Sequence, residues 1–443
     1  MKNDFRQKLH LEVSKGWLND PNGLSFFKGK YHVFFQFSPY SAYGKGDKCW
    51  GHWESPDLIN WTFKGTVLRP DSPADRSGVY SGCGLVSGDT LHLFYTGNVK
   101  NEGDFDYITT GREANVIHVT TTDGQHMSEK HTVLRNSDYP EYCSCHVRDP
   151  KVWEENGKYY MVLGARTLDD KGCVLYYSSH DLENWTFCKK ESREGYGYMW
   201  ECPDVIDISG KRFLSISPQG MVHGKFSHQN VYSSGYFQGD AFIEWDYGFD
   251  FYAPQTFTSP DGRKLLIGWM GIGDIPYKNP TAELGWQHCL TVPRELTLSE
   301  KGEIRQMPVS ELCELRRENQ DISEYTDISV ILPFELTGKV DKNFNLMADG
   351  FSIRYENCTL TLQFSDITLS GGRTARRLKL DLLENIRILF DTSSIEIYVN
   401  DGERVMSTRF YPEDTEIGLS INGFSGKLYR LDGIKTSKGK ENE

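Results

Sequence analysis

The 443-residue sequence lacks any apolar run long enough to span a membrane, and it lacks the basic excess of nucleic-acid-binding proteins. No run approaches the roughly 18 apolar residues that a membrane-spanning helix needs. The formal net charge is −13, whereas nucleic acids and anionic membrane surfaces attract basic patches. The composition therefore predicts neither nucleic acid nor membrane as a partner, and it leaves open whether the chain forms a homo-oligomer.

Cysteine pairs with metal-ligand spacing are also missing. The ten cysteines include no CxxC pair, and the two closest are Cys143 and Cys145. Residues 1–13 carry scattered charges and no apolar segment of the kind found in a signal peptide. We therefore expect a cytoplasmic protein with free thiols rather than disulfides, and we expect neither a metal nor another cofactor.

Helical periodicity is scarce, whereas strand and turn signals are frequent. Aromatic residues make up 13% of the chain and there are 42 glycines, a combination typical of β-rich proteins with many turns. Hairpins that recur every 50 to 70 residues, roughly, predict the five blades of a β-propeller. The turn glycines that precede an apolar run in this pattern are Gly29, Gly88, Gly157, Gly210 and Gly262.

The last third of the chain has a different pattern. Residues 310–319 predict a short helix, with Leu312 and Leu315 three positions apart and Ser310 as its N-cap. Short alternating strand patterns follow, and these predict a β-sandwich. The expected all-β chain therefore has a five-bladed β-propeller catalytic domain at residues 1–308, a helical linker at 309–321, a β-sandwich at 322–434 and a polar, frayed tail at 435–443.

The stretch Trp17–Gly23 combines an aromatic ring, a carboxylate and two backbone breakers. Pro21 fixes its own φ and disfavours helical geometry at Asp20, and Asn22-Gly23 is a tight-turn signal. Such rigid, non-helical backbone can present the Asp20 carboxylate to a ligand, with Trp17 beside it as a surface for a sugar ring. The same residues also fit an ordinary surface turn.

Two further acids stand in unusual sequence contexts. Asp149 follows Arg148 and precedes a proline, whereas Glu201 lies between Trp200 and Cys202. Taken alone, the Arg-Asp-Pro segment also fits a surface ion pair with a turn, and Glu201 also fits a structural acid. Because the inner strands of a propeller surround a central channel, acids from three different blades can nevertheless meet there.

Retaining glycoside hydrolysis needs one protonated and one ionised carboxyl group. Apolar, aromatic neighbours favour the protonated form of an acid, so Glu201 is the candidate for the protonated group. Amide and backbone N–H groups near Asp20 make that residue the candidate for the ionised nucleophile. Arg148 either keeps Asp149 charged or binds sugar hydroxyls itself.

Side chains that could stack on a sugar ring or bind its hydroxyls accompany these acids. Tryptophan offers an aromatic face, and amides, hydroxyls and guanidinium groups offer hydrogen bonds. Each of these residue types is also common in ordinary packing. The predicted substrate-binding residues are Trp17, Asn19, Gln36, Trp50, Ser81, Arg148 and Trp286.

In their order along the chain, these segments resemble the motifs of glycoside hydrolase family 32, the invertase, fructanase and sucrose-6-phosphate hydrolase family. Trp17–Gly23 resembles its WMNDPNG box, with Leu18 in place of Met, and Tyr80-Ser81-Gly82 resembles its FSG motif. The resemblance covers nearly the whole chain. The other matching segments are Trp50-Gly51-His52, Arg148-Asp149-Pro150, Glu201-Cys202, Phe251–Gln255, Pro293–Leu296 and Asp391–Gly402.

The resemblance implies a retaining β-fructofuranosidase that hydrolyses terminal β-D-fructofuranosides such as sucrose, sucrose 6-phosphate or short fructo-oligosaccharides. It implies Asp20 as the nucleophile, Glu201 as the acid/base and Asp149 as the transition-state stabiliser. A fructosyltransferase of the same fold and a non-catalytic fructan-binding protein are the alternatives, although the latter would be expected to lack one of the three acids. The loop at residues 39–49, which contains two lysines, departs from the family pattern, so a preference for phosphorylated substrates stays open.

Overall fold

The structure, a computed structural model, describes residues 2–348 and 350–439 and is all-β. Helices within these residues are short. They are the α-helix Ile367–Ser370 (α1) and the 3₁₀ segments Asn136–Asp138, Pro280–Ala282 and Ser310–Leu315. No helix in the described ranges is long and apolar enough to cross a membrane.

The first part of the chain folds into a β-propeller of antiparallel sheets whose strands mostly follow one another in sequence. The first sheet contains Gly16–Phe27 (β1), Lys30–Ser38 (β2), Cys49–Ser55 (β3) and Asn60–Leu68 (β4). The next contains Val79–Ser87 (β5), Thr90–Lys100 (β6), Arg112–Thr121 (β7) and His131–Leu134 (β8). It is followed by Cys143–Glu155 (β9), Lys158–Thr167 (β10), Gly172–Ser179 (β11) and Thr186–Glu191 (β12).

The remaining propeller strands include several short pieces. One sheet contains Met199–Ile208 (β13), Lys211–Gln219 (β14), Gly235–Gln238 (β15) and Ala241–Glu244 (β16). Another contains Tyr252–Thr258 (β17), Lys264–Met270 (β18), Cys289–Leu290 (β20), Arg294–Leu298 (β21) and Ile304–Pro308 (β22). Trp286–Gln287 (β19) instead pairs in parallel with β1 and so joins the first sheet.

The hairpins predicted from the recurring glycines are confirmed. Antiparallel pairing joins β1 to β2, β5 to β6, β9 to β10, β13 to β14 and β17 to β18. Gly157 has a φ of 74° and follows Asn156 at 54°, which is the pair of positive φ values that a two-residue hairpin turn requires. Glycine adopts this backbone at no steric cost, so the turn positions were readable from the sequence.

The first strand of each propeller sheet carries a β-bulge, in which two residues face one on the partner strand. A bulge bends its strand and re-aims the side chains next to it. Proline, which has no N–H to pair, occupies the second bulge position in three of the strands. The bulged pairs are Asn19-Asp20, Tyr80-Ser81, Asp149-Pro150, Cys202-Pro203 and Ala253-Pro254.

The C-terminal part is a β-sandwich-like sheet around a separate apolar core. Phe334, Leu336, Ile388 and Phe390 are among its fully buried residues. Its first strands are Arg316–Ile322 (β23), Tyr325–Ile331 (β24), Phe334–Ala348 (β25), Phe351–Glu356 (β26) and Thr359–Phe364 (β27). The others are Ala375–Lys379 (β28), Asn385–Phe390 (β29), Ser394–Val399 (β30), Arg404–Arg409 (β31) and Glu416–Leu431 (β32).

The predicted helical linker is wrong over most of its length. Only Ser310–Leu315 is helical, as a 3₁₀ segment, because the three-residue spacing of its two buried leucines fits three residues per turn. Ser310 is not the N-cap, which is Val309. The following residues, Arg316–Ile322, pair with β32 instead, so the C-terminal sheet begins inside the predicted linker.

The predicted frayed tail is also wrong for the residues that the structure describes. Lys435–Lys438 (β33) pairs in parallel with β4 and so extends the first propeller sheet. Backbone ladder bonds do not need apolar side chains, and polar residues suit an exposed edge strand. Residues 440–443 of the predicted tail lie outside the described residues.

A buried cluster of charges ties the N-terminal segment to both parts of the chain. His10, with a side chain that is 0% exposed, lies 2.8 Å from Asp391 through Nδ1 and 2.9 Å from Glu396 through Nε2. Arg294 of the propeller donates to Glu396 at 2.6 Å and to Asp246 at 3.2 Å. This cluster, called the interdomain cluster below, joins residues that are far apart in the sequence.

Candidate active site

A cavity of about 290 Å³ lies where the first strands of the propeller sheets meet. It brings Asp20 of β1, Asp149 of β9 and Glu201 of β13 together, which confirms that the three acids come from different sheets. The cavity is lined by Asn19, Asp20, Gln36, Tyr80, Ser81, Arg112, Arg148, Asp149, Glu201, Cys202, Gln219, Tyr232, Tyr252, Trp269, Gly273 and Asp274.

The Asp20 carboxylate is held by neutral hydrogen-bond donors. Ser81 Oγ donates to Asp20 Oδ2, and Asn19 Nδ2 donates to Oδ1 at 3.1 Å. Trp17 Nε1 in turn donates to Asn19 Oδ1 at 3.0 Å and fixes the orientation of that amide. Burial raises the pKa of Asp20, and the charge of Glu201 adds to this, whereas the bonds from Ser81 and Asn19 oppose it.

The Glu201 carboxylate lies in a polar setting rather than the apolar one expected from its sequence neighbours. Arg148 donates to Oε1 through Nε at 3.1 Å and through a terminal nitrogen at 2.7 Å. Tyr252 Oη and Gln219 Nε2 donate to Oε2 at 2.6 and 2.8 Å. The carboxylate is therefore fixed in orientation, because both of its oxygens are engaged.

The bulge geometry explains why Arg148, Glu201 and Tyr252 meet. Each residue directly precedes the bulged pair on its own strand, so the three occupy equivalent positions on β9, β13 and β17. Arg148 was expected to keep Asp149 charged or to bind sugar hydroxyls. Its charge does lower the pKa of Asp149, whereas its hydrogen bonds go to His146 and to Glu201, the carboxylate at the matching position on the next sheet.

Asp149 is the most enclosed of the three acids, with 6% of its surface exposed. The N–H of Cys202 donates to its Oδ2 at 3.0 Å, and its own N–H donates to Thr96 Oγ1 at 2.9 Å. Burial raises the pKa of Asp149 to about 7; Arg148 opposes this shift, and the charges of Glu201 and Asp20 reinforce it. Two of the three acids thus have raised pKa values, as expected for carboxyls that share a confined site.

The backbone at this site is strained. Asp149 has a φ of 60° and Cys202 a φ of 45°, in the left-handed region that residues other than glycine rarely adopt. Both are first residues of a bulged pair. Because strain of this kind persists only where the surrounding structure imposes it, we interpret these bulges as part of the functional site.

Comparison with known families agrees with this geometry. The model of the glycosyl hydrolases family 32 N-terminal domain matches residues 10–308, and that of the family 32 C-terminal domain matches residues 347–434. The chain belongs to glycoside hydrolase family 32. The family 32 chain described here is therefore a glycoside hydrolase.

Individual relatives match almost the whole length of this family 32 chain. A sucrose-6-phosphate hydrolase of Bacillus subtilis is 39% identical over 95% of this chain and 92% of its own length. The structure of a sucrose-6-phosphate hydrolase from Lactobacillus gasseri has a TM-score of 0.88 at 28% identity, covering 97% of this chain and 94% of that one. A Bombyx mori β-fructofuranosidase of family 32 has a TM-score of 0.86 at 30% identity, covering 98% and 95% of the two chains.

Four of the predicted substrate-binding residues line the cavity of the family 32 enzyme. They are Asn19, Gln36, Ser81 and Arg148. Gln36 lies opposite the Asn19-Asp20 bulge on β2, and its Nε2 donates to the carbonyl oxygen of Val79 at 2.6 Å. These residues support the cavity wall, and their contacts with substrate stay predictions.

The three predicted tryptophans do not line the cavity. Trp50 is 0% exposed and donates to the carbonyl oxygen of Tyr80 at 3.0 Å, and Trp286 is 1% exposed. Trp17 packs against His288, with ring centroids 4.4 Å apart, and donates to Asn19. The prediction that Trp50 and Trp286 stack on a sugar is therefore wrong: both rings are already covered by protein.

Several cavity residues were missed from the sequence. Tyr252 stands in Phe251–Gln255, a segment used for the family resemblance but not for the site. Its signal was present, because Tyr252 precedes Ala253-Pro254 as Glu201 precedes Cys202-Pro203. Gln219, Tyr232 and Arg112 carry no such signal, since each lies outside a bulge motif.

Proposed function

We propose that this family 32 enzyme is a retaining β-fructofuranosidase that cleaves terminal β-D-fructofuranosides of the sucrose type. The observation that carries the proposal is the meeting of three carboxyl groups, from β1, β9 and β13, in one cavity of about 290 Å³. Retaining hydrolysis needs one carboxylate as nucleophile and a second carboxyl group as acid and then base.

Asp20 is the proposed nucleophile. Its carboxylate is held by neutral donors and by no cation within ion-pair distance among the described residues, so its negative charge is not neutralised by a bound partner. Attack by one Asp20 oxygen on the anomeric carbon forms an ester and breaks the bond to the leaving-group oxygen. The shared electron pair of that bond goes to the leaving oxygen.

Glu201 is the proposed acid and base. In the first step its proton passes to the leaving oxygen as the bond breaks, and the residue becomes a carboxylate that Arg148, Tyr252 and Gln219 can stabilise through their hydrogen bonds. Glu201 then takes a proton from water as the water oxygen attacks the anomeric carbon and frees Asp20.

Asp149 is the proposed transition-state stabiliser. It lies deeper than the other two acids, and its orientation is set by the N–H of Cys202. A carboxylate in this place can accept hydrogen bonds from sugar hydroxyls, and these bonds strengthen as positive charge develops on the ring. Because the pKa of Asp149 is raised to about 7, the carboxylate form, and with it this role, should be lost as the pH falls below neutrality.

We further propose that the propeller has five blades, with residues 1–308 as the catalytic domain. Support comes from the innermost strands: β1 contacts β5, β5 contacts β9, β9 contacts β13, β13 contacts β17, and β17 returns to β1. Each of these strands carries a bulge at the cavity. Such a closed cycle is the arrangement expected of blades around a central channel.

The names of the relatives support sucrose 6-phosphate and sucrose as substrates. The Bacillus subtilis relative is a sucrose-6-phosphate hydrolase, and a mutant of the Bombyx mori β-fructofuranosidase has been solved in complex with sucrose. A fructosyltransferase would use the same covalent step but pass fructose to a sugar instead of water. A cytoplasmic location stays a prediction from the sequence, and whether the chain forms a homo-oligomer stays open.

The test compares turnover on sucrose, sucrose 6-phosphate, kestose and inulin, with product analysis for each. We expect free fructose as the main product, released first as the β-anomer in a time-resolved NMR spectrum. Fructose found mainly in longer oligosaccharides would favour the transferase instead. Initial release of the α-anomer, or no release of fructose from any substrate, would overturn the proposal.

A further inference from the structure

Arg112 is a cation in the cavity wall that has no anionic partner. It begins β7 and lines the same cavity as Asp20 and Glu201. Among the described residues, no carboxylate lies within 4.0 Å of its guanidinium group, and its buried Nε has no hydrogen-bond partner. A buried N–H group without an acceptor is costly, and the unpartnered Nε therefore points to a ligand that supplies an acceptor to this side chain.

His146, the nearest polar neighbour of Arg112, cannot serve as that acceptor. Burial lowers the pKa of His146 to about 3, and Arg148 and Arg112 lower it further, so the ring is neutral and has one acceptor nitrogen. Nδ1 fills this role by accepting from Arg148 at 2.9 Å. Nε2 therefore carries the proton and donates to the carbonyl oxygen of Tyr107 at 2.9 Å, although Arg112 lies 3.1 Å away.

The position of Arg112 places it on the leaving-group side of the cavity. Contacts run from Arg112 to His146, from His146 to Arg148, and from Arg148 to Glu201. Glu201 is the proposed donor of a proton to the leaving oxygen, so the leaving sugar lies on the side of the cavity that Glu201 occupies. Arg148 already uses its donors on Glu201 Oε1 and His146 Nδ1, which leaves Arg112 as the cation on this side of the cavity with unused donors.

We propose that Arg112 binds an anionic group, a phosphate monoester, on the leaving sugar and thereby selects a phosphorylated substrate. The proposal rests on the fructosidase function proposed above. A planar guanidinium group can bind two phosphate oxygens at once through parallel N–H donors. Because the protein leaves the side chain of Arg112 without an acceptor, none of its own hydrogen bonds has to break when the phosphate arrives.

A second cation, Lys48, is a suitable control. It too has no ion-pair partner among the residues that the structure describes, and its Nζ lies 5.7 Å from the centroid of the Trp17 ring. It does not line the cavity, and it lies near the proposed nucleophile, since Asp20 is the charge that raises its pKa against the effect of burial. An anion on the fructosyl side would therefore meet Lys48, and an anion on the leaving sugar would meet Arg112.

The experiment measures kcat/KM for sucrose 6-phosphate and for sucrose, together with inhibition by glucose 6-phosphate and by glucose. The wild-type enzyme is expected to prefer each phosphorylated compound by about 10- to 100-fold, the range for hydrogen bonds to a charged group. Arg112→Gln should lower both preferences towards one, mainly through KM, and Arg112→Lys should restore part of them. Lys48→Met should keep the wild-type ratios.

The outcomes separate this inference from the function on which it rests. A wild-type enzyme that cleaves sucrose but shows no preference for the phosphorylated sugar overturns the role of Arg112 and leaves the fructosidase function intact. Equal losses on both substrates in Arg112→Gln would indicate a structural role and also overturn it, as would loss of the preference in Lys48→Met alone. Failure of the wild-type enzyme to cleave either sugar overturns the proposed function itself.

Discussion

The catalytic cavity and the interdomain cluster are two groups of buried charges with opposite arrangements. In the interdomain cluster every charged group that we named has an opposite charge beside it: His10 contacts Asp391 and Glu396, and Arg294 contacts Glu396 and Asp246. In the cavity, Asp20 has only neutral donors. The interdomain cluster pairs all of these charges, whereas the cavity pairs Glu201 with Arg148 but leaves Asp20 without a cation beside it.

The pKa values follow this difference. Burial alone would lower the pKa of His10, but its bonds to Asp391 and Glu396 outweigh that effect and raise the pKa to about 9. Burial would raise the pKa of Glu396, yet Arg294 and His10 bring it down to about 2. In the cavity burial prevails instead, and the pKa of Asp149 rises to about 7. His10 and Glu396 therefore stay charged at neutral pH, whereas Asp149 can exchange a proton near neutral pH.

The largest expected effect comes from removing the unpaired charge of the cavity. Asp20→Asn should lower kcat by about 10⁴-fold or more, because an amide is a poor nucleophile. Its melting temperature should stay equal to or above that of the wild-type enzyme, since the buried charge contributes to catalysis rather than to stability. Steady-state kinetics and calorimetry measure the two effects, with the exposed Asp89→Asn as the charge-matched control. Near-normal turnover by Asp20→Asn would contradict the assignment.

Removing a charged group from the interdomain cluster should instead lower the stability of the fold. His10→Ala leaves Asp391 and Glu396 without one of their partners, and breaking a buried ion pair in this way costs about 3–5 kcal/mol. Chemical denaturation measures the loss, and kcat of the remaining folded enzyme should stay close to the wild-type value. His126→Ala is the control, because that histidine is exposed and lies 2.6 Å from Asp123, where an ion pair contributes about 1 kcal/mol or less. Equal losses of unfolding free energy in His10→Ala and His126→Ala would contradict the stabilising role of the interdomain cluster.

The dependence of stability on pH should also come from the paired region. The pKa of His10 is raised from 6.5 to about 9 on folding, so its contribution is complete below pH 6.5 and is lost as the pH rises towards 9. The pKa of Glu396 falls from 4.5 to about 2, so its contribution is complete above pH 4.5 and is lost as the pH falls towards 2. The combined contribution of His10 and Glu396 to stability should therefore be greatest between pH 4.5 and pH 6.5.

The slope on the alkaline side identifies the group responsible. One titrating proton changes the free energy of unfolding by at most about 1.4 kcal/mol per pH unit. Denaturation of the wild-type enzyme between pH 6.5 and 9 should show a decline of this order, and His10→Ala should show a shallower one. An unchanged slope in His10→Ala would mean that another group titrates there.

A smaller effect is expected from removing a hydrogen bond that orients Glu201 in the cavity. Tyr252→Phe removes the 2.6 Å hydrogen bond to Glu201 Oε2 and should lower kcat by about tenfold, the effect of one bond to a charged group. Because Tyr252 donates directly to the carboxylate of Glu201, the pH–kcat profile should shift as well, which a purely structural role would not cause. Tyr325→Phe is the control, because its hydroxyl donates at 2.7 Å to Asp327 on the surface. An unshifted profile with unchanged kcat would remove Tyr252 from the mechanism.

The part of the fold that rests on local chemistry could be predicted from the sequence. Gly157 and the other turn glycines adopt the positive φ that hairpins need, and glycine is the residue that adopts it without strain. Rigid Asp-Pro segments also pointed to Asp20 and Asp149. In contrast, the pairing of Arg316–Ile322 with β32 and of Lys435–Lys438 with β4 depends on which strand edges are open, and no local pattern encodes that.

In the candidate site, too, some residues could be predicted from local sequence and others could not. Asp20 and Asp149 could be found because a proline follows each of them, and Glu201 because it stands between Trp200 and Cys202. Trp50 and Trp286 were assigned to the substrate because tryptophan suits a sugar face, yet the same apolar surface suits a core, and burial decides between them. The partners of Glu201 come from β9, β14 and β17, so only the assembled propeller brings them together.

The most direct test of the account is to locate the covalent intermediate. In Glu201→Gln, a fructoside with a good leaving group should still react with the nucleophile, and the ester should accumulate because the base for its hydrolysis is missing. After rapid acid quench and proteolysis, mass spectrometry should find one fructosyl group on the peptide that contains Asp20. A fructosyl group on Asp149 instead, or no adduct together with inversion at the anomeric carbon, would contradict the account.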